Sequence, residues 1–354
     1  MVTRVAVGPL TVGEYGELAR AVLEPGVWDF IAGGAGAERT LAANEAAFAR
    51  AEVWPRVLTG GGPPDTRTRV LGRTWAAPIG IAPVAYHTMA HPDGEVATAQ
   101  AAAAAGVPFV VSTFAGRTFI EIAAEPGTHW LQVYCFRDRT VTRRLIEGAE
   151  EAGFEALVLT VDAPRLGRRL RDLRGGFRLP DGIAPANLPG DGFGSPGEHA
   201  LAEFDSGLDW SVVSWLRSVS TLPVLVKGVL TAAAARRAVA EGVDGIVVSN
   251  HGGRQLDGAP ATLHALPRVV AAVDGACPVL LDGGVRRGVD VLVSLACGAA
   301  GVLLGRPVLH GLAADGRRGV ERVLGIVIEE LIDAMALAGV TCPADVGPDL
   351  ISGR

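Results

Sequence analysis

The sequence predicts an α/β fold closed into a single eight-stranded barrel, and three observations carry that prediction. Short apolar runs ending in Gly, Pro, Ser or Asp recur along the chain, alanine-rich or amphipathic stretches of helical length separate them, and those stretches stop at glycine. Eight runs fit strands: Pro78–Ala82, Pro108–Ser112, His129–Tyr134, Leu157–Val161, Pro223–Lys227, Gly245–Ser249, Pro278–Asp282 and Ala300–Gly305. Their first residues lie 21 to 33 positions apart, with one interval of 66 between Leu157 and Pro223. That spacing holds a strand, a helix and two short loops per unit.

Taken in order, residues 1–70 read as a helical N-terminal cap. Helices are expected over Gly94 to Ala105, Arg139 to Ala152, Thr231 to Glu241 and Val289 to Cys297, each stopped by the glycine that follows. The strands read as continuous Val, Ile and Leu, as when helices cover the outside of a sheet and side chains fill the inside. An open doubly wound sheet is the alternative. Its GxGxxG turn is missing, and the nearest candidate, Gly33-Gly34-Ala35-Gly36, follows a helical segment instead of a strand. Residues 163 to 222 carry Gly175-Gly176, Pro180, Pro185, Pro189-Gly190 and Gly192-Phe193-Gly194-Ser195, and are expected to form an active-site loop with little regular structure until Trp210. A tolerated surface insertion over Gly182 to Leu208 is the plainer reading. The apolar stripe of Gly319 to Ala338 predicts a further helix flanking the barrel.

Composition narrows the function classes. Hydrophobic residues make up 49% and charged residues 20% of 354, which suits a large packed core and excludes a disordered chain. The net charge of -6, with arginines scattered among acids, leaves no footprint for nucleic acid. Cys135, Cys277, Cys297 and Cys342 lack metal spacing and are too sparse for a disulfide scaffold, so reduced thiols and no metal are expected. Met1 to Arg20 matches neither a secretory signal nor a membrane span, which makes the cytoplasm the expected address.

In a barrel of this kind the reacting groups sit at the C-terminal ends of the strands. Those ends are unusually polar: Gln132 and Tyr134 on the third, Thr160 and Asp162 on the fourth, Lys227 on the fifth, Ser249, Asn250 and His251 on the sixth, Asp282 with Gly283-Gly284 on the seventh, and Gly305-Arg306 on the eighth. His251 has Arg254 three residues on, so an imidazole and a guanidinium can face one substrate. Glycines closing the seventh and eighth strands, with Arg286 and Arg306 beside them, suit a phosphate site of backbone N–H groups and a helix N-terminus. Singly, each has a blander reading: a structural histidine, a packing tyrosine, a turn at Asp162-Ala163-Pro164, a lysine reaching for water, glycines in turns.

The stretch Ser249-Asn250-His251-Gly252-Gly253-Arg254-Gln255-Leu256-Asp257 resembles the signature of the FMN-dependent 2-hydroxy acid oxidases and dehydrogenases. Leu225-Val226-Lys227-Gly228, Leu281-Asp282-Gly283-Gly284-Val285-Arg286, Leu304-Gly305-Arg306-Pro307, Leu159-Thr160-Val161-Asp162, Arg165-Leu166-Gly167-Arg168-Arg169 and Ala90-His91-Pro92-Asp93-Gly94-Glu95 agree, so the resemblance runs from about Gly13 to Leu350. It implies that His251 is the general base, whose imidazole titrates near working pH. Asp162 would stabilise the imidazolium, Tyr134 would hydrogen-bond the substrate oxygen, and Arg169 and Arg254 would bind its carboxylate. For FMN, it implies Lys227 at the pyrimidine side of the ring, Ser112, Gln132, Thr160, Ser249 and Asp282 as polar contacts, and Ala82, Pro83, Val84 and Ala85 near the flavin face. The phosphate would fall to Gly283, Gly284, Arg286, Gly305 and Arg306. Dioxygen or an external acceptor would take the electrons, since no haem-binding domain precedes the barrel, and a homotetramer is implied.

One position departs from the pattern. Many members carry a tyrosine where this chain has Phe30, as the similar hydroxymandelate oxidases carry phenylalanine. Phe30 with Phe114 and Tyr86 then predicts a more apolar pocket and a bulky or aromatic acid such as mandelate or 4-hydroxymandelate. The stretch after the fourth strand lacks the hydrophobic insertion of membrane-associated relatives, which disfavours membrane docking. Two rival readings are an FMN barrel acting on another substrate, as isopentenyl diphosphate isomerase does, and a flavin-binding module without turnover. The first would not need His251 paired with Arg254, and the second rests on Phe30 alone.

Overall fold

A computed structural model describes residues 8–189 and 203–352, so Gly190 and Gly192-Phe193-Gly194-Ser195 lie outside the described residues. Eight parallel strands close into a ring: β1 (Ile79–Ile81), β2 (Phe109–Val111), β3 (His129–Val133), β4 (Ala156–Thr160), β5 (Val224–Val229), β6 (Gly245–Val248), β7 (Val279–Asp282) and β8 (Gly301–Leu304). Closure runs through β8 and β1, with Val302 opposite Ile79 and Leu304 opposite Ile81. The eight expected runs and their order hold; six strands are trimmed by a residue or two, the fourth is shifted by one residue to Ala156–Thr160 and the fifth runs on to Val229.

Three helices precede the barrel: α1 (Val12–Val22), α2 (Pro25–Ala32) and α3 (Arg39–Ala49). Among the described residues the helices that follow are α4 (Gly94–Ala105), α5 (Phe119–Ala123), α6 (Arg139–Glu151), α7 (Leu170–Gly175), α8 (Ser211–Val219), α9 (Ala232–Ala240), α10 (Thr262–Val273), α11 (Gly288–Ala296), α12 (Arg306–Ala338) and a last short one, α13 (Asp349–Ser352). The glycine stops behave as expected; Gly106 ends α4 at φ 64° and Gly298 follows α11 at φ 93°. The four cysteines form no disulfide.

Side chains alternate between the two faces of each strand. Ile79, Ile81, Leu131, Leu157, Leu159, Val226, Val248, Leu281, Val302 and Leu304 pack outward beneath the helices. Val110, Trp130, Val158, Leu225, Val247, Leu280 and Leu303 pack together inside. Two residues further along each strand, the same inner parity falls on Ser112, Gln132, Thr160, Lys227, Ser249, Asp282 and Gly305. The polar layer is thus the continuation of the barrel's own filling.

Three expectations need correction. The cap over residues 1–70 is helical only to Ala49, and an antiparallel hairpin of Thr68–Val70 with Arg73–Trp75 follows. Val70 and Trp75 join the barrel's inner cluster, Trp75 meets Trp130 at 5.6 Å and its ring abuts Gly301 at the start of β8. The hairpin therefore plugs the end opposite the polar layer. Its strands have three residues each, and its turn, Leu71 (φ 48°) and Gly72 (φ 77°), spends a leucine where asparagine or glycine would signal a turn. The region 163 to 222 contains α7, which buries no residue and so has no apolar stripe to read. Finally, the helix expected from Gly319 starts at Arg306 and breaks at Asp315 (φ -156°) and Gly316 (φ 52°).

Candidate active site

At the C-terminal ends of the strands lies a cavity with about 1130 Å³ of empty space. It is lined by Phe30, Ala82, Pro83, Val84, Ala85, Ser112, Phe114, Gln132, Tyr134, Thr160, Arg169, Lys227, His251, Arg254, Asp282, Gly283, Gly284, Arg286, Gly305 and Arg306. Asp162 and Ser249 stand behind this lining, each bonded to a residue of it. Residues from all eight strand ends and the N-terminal helices therefore converge as the sequence implies. Leu166 and Phe204 line the cavity as well and were not anticipated.

His251 sits just beyond β6 in a left-handed conformation (φ 58°), a strained position for a side chain of this size. The turn is held from several sides. Ser249 Oγ accepts the His251 amide at 3.0 Å, and Asn250 Oδ1 accepts the Gly253 amide at 3.1 Å. Asn250 and Asn44 of α3 exchange amide hydrogen bonds of 2.9 and 2.8 Å, which ties the turn to the N-terminal helices. The imidazole Nδ1 lies 3.0 Å from Asp162 Oδ1, and Nε2 lies 3.4 Å from the Tyr134 hydroxyl. Burial lowers the His251 pKa, only partly offset by Asp162, and Lys227 and Arg169 lower it further, so the ring is neutral at rest. Burial alone would raise the Asp162 carboxyl. Its pairing with His251 and the charge of Lys227 outweigh it and hold Asp162 below its ordinary value.

Room for Asp162 is made by β5. The β5–β6 register shifts between Lys227 and Val229, and Gly228 takes φ 114°; a Cβ there would stand 2.6 Å from Asp162 Cβ. Burial pushes the Tyr134 phenol well above its ordinary value, which keeps it a hydrogen-bond donor.

The second feature is a set of cations. Arg254 donates from Nη1 to the carbonyls of Phe30 (2.6 Å) and Gly33 (2.9 Å). Its guanidinium and that of Arg169 lie 5.1 and 5.4 Å from the Phe30 ring, which stacks on Phe177 at 4.8 Å. Phe30 thus serves as a floor for two guanidiniums, while Tyr86 stands behind Phe114 (5.9 Å) and does not line the cavity. The apolar side is instead Phe114, Tyr134 and Phe204, the last two stacked at 4.5 Å. A bridge between Phe136 and Phe204 fixes this residue, which belongs to the stretch 163 to 222. Burial depresses the pKa values of Arg169 and Arg254, and of Arg306 to about 9; the charges of Arg169 and Arg306 lower Arg254 further, and those of Arg286 and Arg169 lower Arg306. That is the electrostatic mark of a site built for an anion.

Lys227 is 3% exposed and donates to Ser249 Oγ and Asp282 Oδ2, both at 2.8 Å. Burial opposes its charge, but Asp282 and Asp162 more than compensate and raise its pKa. Gln132 donates to Thr160 Oγ1 at 3.0 Å and accepts the Thr113 amide at 3.1 Å, forming a short polar ladder across β3 and β4. Asp282 Oδ1 is buried without a partner.

At the far end, Gly283 (φ 93°) and Gly284 (φ 94°) close β7, and Gly305 precedes α12. The α3 backbone crowds Gly284, where a Cβ would stand 2.6 Å from the Asn44 carbonyl oxygen. Arg306 donates to the carbonyls of Ile31 (3.0 Å), Gly252 (3.0 Å) and Gly33 (2.8 Å), so it fastens the N-terminal segment to the His251 turn besides contributing charge. Arg286 pairs with Glu45 at 2.8 Å. Among the described residues no group of His, Cys, Asp and Glu is arranged to hold a metal, and no helix is long and apolar enough to cross a membrane.

Comparison with known proteins agrees with this geometry. A family described as FMN-dependent dehydrogenase matches residues 19–353. Glycolate oxidase 3 of Arabidopsis thaliana is 47% identical, covering 93% of this chain and 92% of that protein. The 4-hydroxymandelate oxidase of Amycolatopsis orientalis is 46% identical, covering 91% and 92%. A solved structure of mandelate oxidase with (S)-4-hydroxymandelic acid superposes with a TM-score of 0.92 at 44% identity, covering 96% of this chain and 97% of that one.

Proposed function

Because the chain belongs to the FMN-dependent dehydrogenase family, we propose that its His251 is the base in the oxidation of a 2-hydroxy acid to the 2-oxo acid. The oxidation of 2-hydroxy acids by an FMN enzyme acting on CH–OH donors is the activity its relatives share. One observation carries the assignment of roles: a neutral imidazole backed by Asp162 at 3.0 Å, two buried guanidiniums and a buried lysine line one cavity.

The residues fit the cofactor. A partnerless buried oxygen on Asp282, the cation of Lys227 and the glycine-lined ends of β7 and β8 suit a polar ring edge at one place and a phosphate at another. In this reading Ser112, Gln132, Thr160, Lys227, Ser249 and Asp282 hold the ring and its chain, Ala82 to Ala85 lie against its face, and Gly283, Gly284, Arg286, Gly305 and Arg306 hold the phosphate. FMN, when bound, supplies the two-electron acceptor.

The chain's own residues do the rest. Arg169 and Arg254 bind the substrate carboxylate and orient the acid. His251 Nε2 takes a proton from the acid, and the Asp162 carboxylate stabilises the imidazolium that results. Tyr134 donates a hydrogen bond to the substrate oxygen. Phe114, Tyr134 and Phe204 surround an aromatic substituent, so mandelate and 4-hydroxymandelate are the preferred acids. Dioxygen as final acceptor, a homotetrameric assembly and a cytoplasmic setting complete the proposal.

Anaerobic mixing of the yellow holoprotein with a panel of 2-hydroxy acids tests it. Mandelate should bleach the flavin promptly and with higher kcat/KM than glycolate or lactate; the reverse order would refute the aromatic preference. His251→Ala should retain FMN and lose rapid bleaching, and fast reduction in that variant would remove His251 as the base.

A further inference from the structure

Asp172, a residue that the sequence does not single out, stands beside the carboxylate-binding arginines on α7. Its neighbour Arg171 illustrates a closed ion pair, Nη2 meeting Glu38 Oε2 at 2.6 Å. Asp172 instead faces Arg169, one turn back, and stops with Oδ2 3.8 Å from Nη1, beyond hydrogen-bond reach. Both side chains are largely buried, 10% exposed for Arg169 and 18% for Asp172. Asp172 Oδ1 and Arg169 Nε are each buried without a partner, so an acceptor on one residue and a donor on the other are left open. The Arg169 guanidinium lies instead over the Phe30 ring, a platform it shares with Arg254.

We propose that Asp172 is a counter-charge for the Arg169–Arg254 pair which does not itself occupy the N–H donors of Arg169, and so limits how tightly the site holds a carboxylate. It acts through Arg169 and not on the substrate. Two like charges over one ring repel, and a nearby carboxylate offsets that repulsion in the empty site. A fully formed salt bridge would do the same but would occupy the donors that a 2-hydroxy acid needs. Held just out of reach, Asp172 contributes charge without competing for hydrogen bonds. It also repels a bound carboxylate, which favours departure of the 2-oxo acid. Burial raises the Asp172 pKa against the opposing pull of Arg169 and Arg254, consistent with a carboxylate that depends on those two cations.

The inference rests on the functional reading above, and calorimetric titration of the FMN-loaded protein separates the two. The probes are benzoylformate, a 2-oxo acid, and its uncharged methyl ester. Asp172→Asn should lower the Kd for benzoylformate about tenfold and leave that for the ester unchanged. Asp172→Glu keeps the charge but extends the carboxylate to the Arg169 donors, and should raise the benzoylformate Kd. Unchanged or weaker benzoylformate binding in Asp172→Asn, or an equal shift for acid and ester, overturns the inference while the function stands. A wild-type holoprotein that binds no 2-oxo acid overturns both.

Discussion

His251 has to be neutral before proton transfer and charged after it, and its surroundings serve both states. Burial lowers its affinity for a proton below that of free imidazole, so the acid limb of kcat/KM should lie below about pH 6.5. Asp162 opposes that effect. Asp162→Asn should therefore move the limb to still lower pH while cutting kcat on the order of a hundredfold or more, because the imidazolium loses its partner; a limb that moves upward would reverse the sign assigned to Asp162. At this scale much of the site was legible in the sequence. His251 and Arg254 lie within one unbroken nine-residue stretch, and Lys227 and Asp282 close apolar runs. Asp172 and Phe204 were not legible, since one sits on a helix of six residues, too short to show a period, and the other meets the cavity through a bridge to Phe136 and stacking on Tyr134, contacts distant in sequence.

Elements add what residues alone do not supply. The inner parity of the strands decides which of several strand-end residues face the cavity, and it can be read by stepping two positions from Trp130, Val158, Leu225, Val247 and Leu280. The β5 bulge has no such signal, because a glycine after a strand-end lysine looks like any turn. Gly228→Ala would introduce a Cβ beside Asp162 at a φ that costs about 1–3 kcal/mol for a side chain. The expected result is a loss of about a hundredfold in kcat/KM as the Asp162–His251 pair is displaced, with FMN still bound, measured by steady-state kinetics and flavin absorbance. Unaltered kinetics would mean that the bulge does not position Asp162.

For the whole molecule, eight runs at strand-plus-helix intervals pointed to the barrel, and the missing GxGxxG turn weighed against the open sheet. The hairpin at its base stayed hidden because it is too short to show a period. Its Trp75 should matter to stability and not to chemistry: Trp75→Ala is expected to cost about 3–5 kcal/mol in denaturant unfolding. The kcat of the surviving folded fraction should stay near wild type, and a collapse of kcat at full stability would contradict the division between the two ends of the barrel.

That division does not extend to the chain's own two ends. The carbonyls of Phe30, Ile31 and Gly33 aim Arg254 and Arg306, and Asn44 braces the turn that carries His251. During synthesis, the earliest helices must therefore wait for the sixth strand before Asn250 and Arg254 emerge, and for the eighth before Arg306 does. A nascent barrel that has not yet made its eighth strand would hold guanidiniums not yet aimed, so reactivity arrives only once that strand is in place.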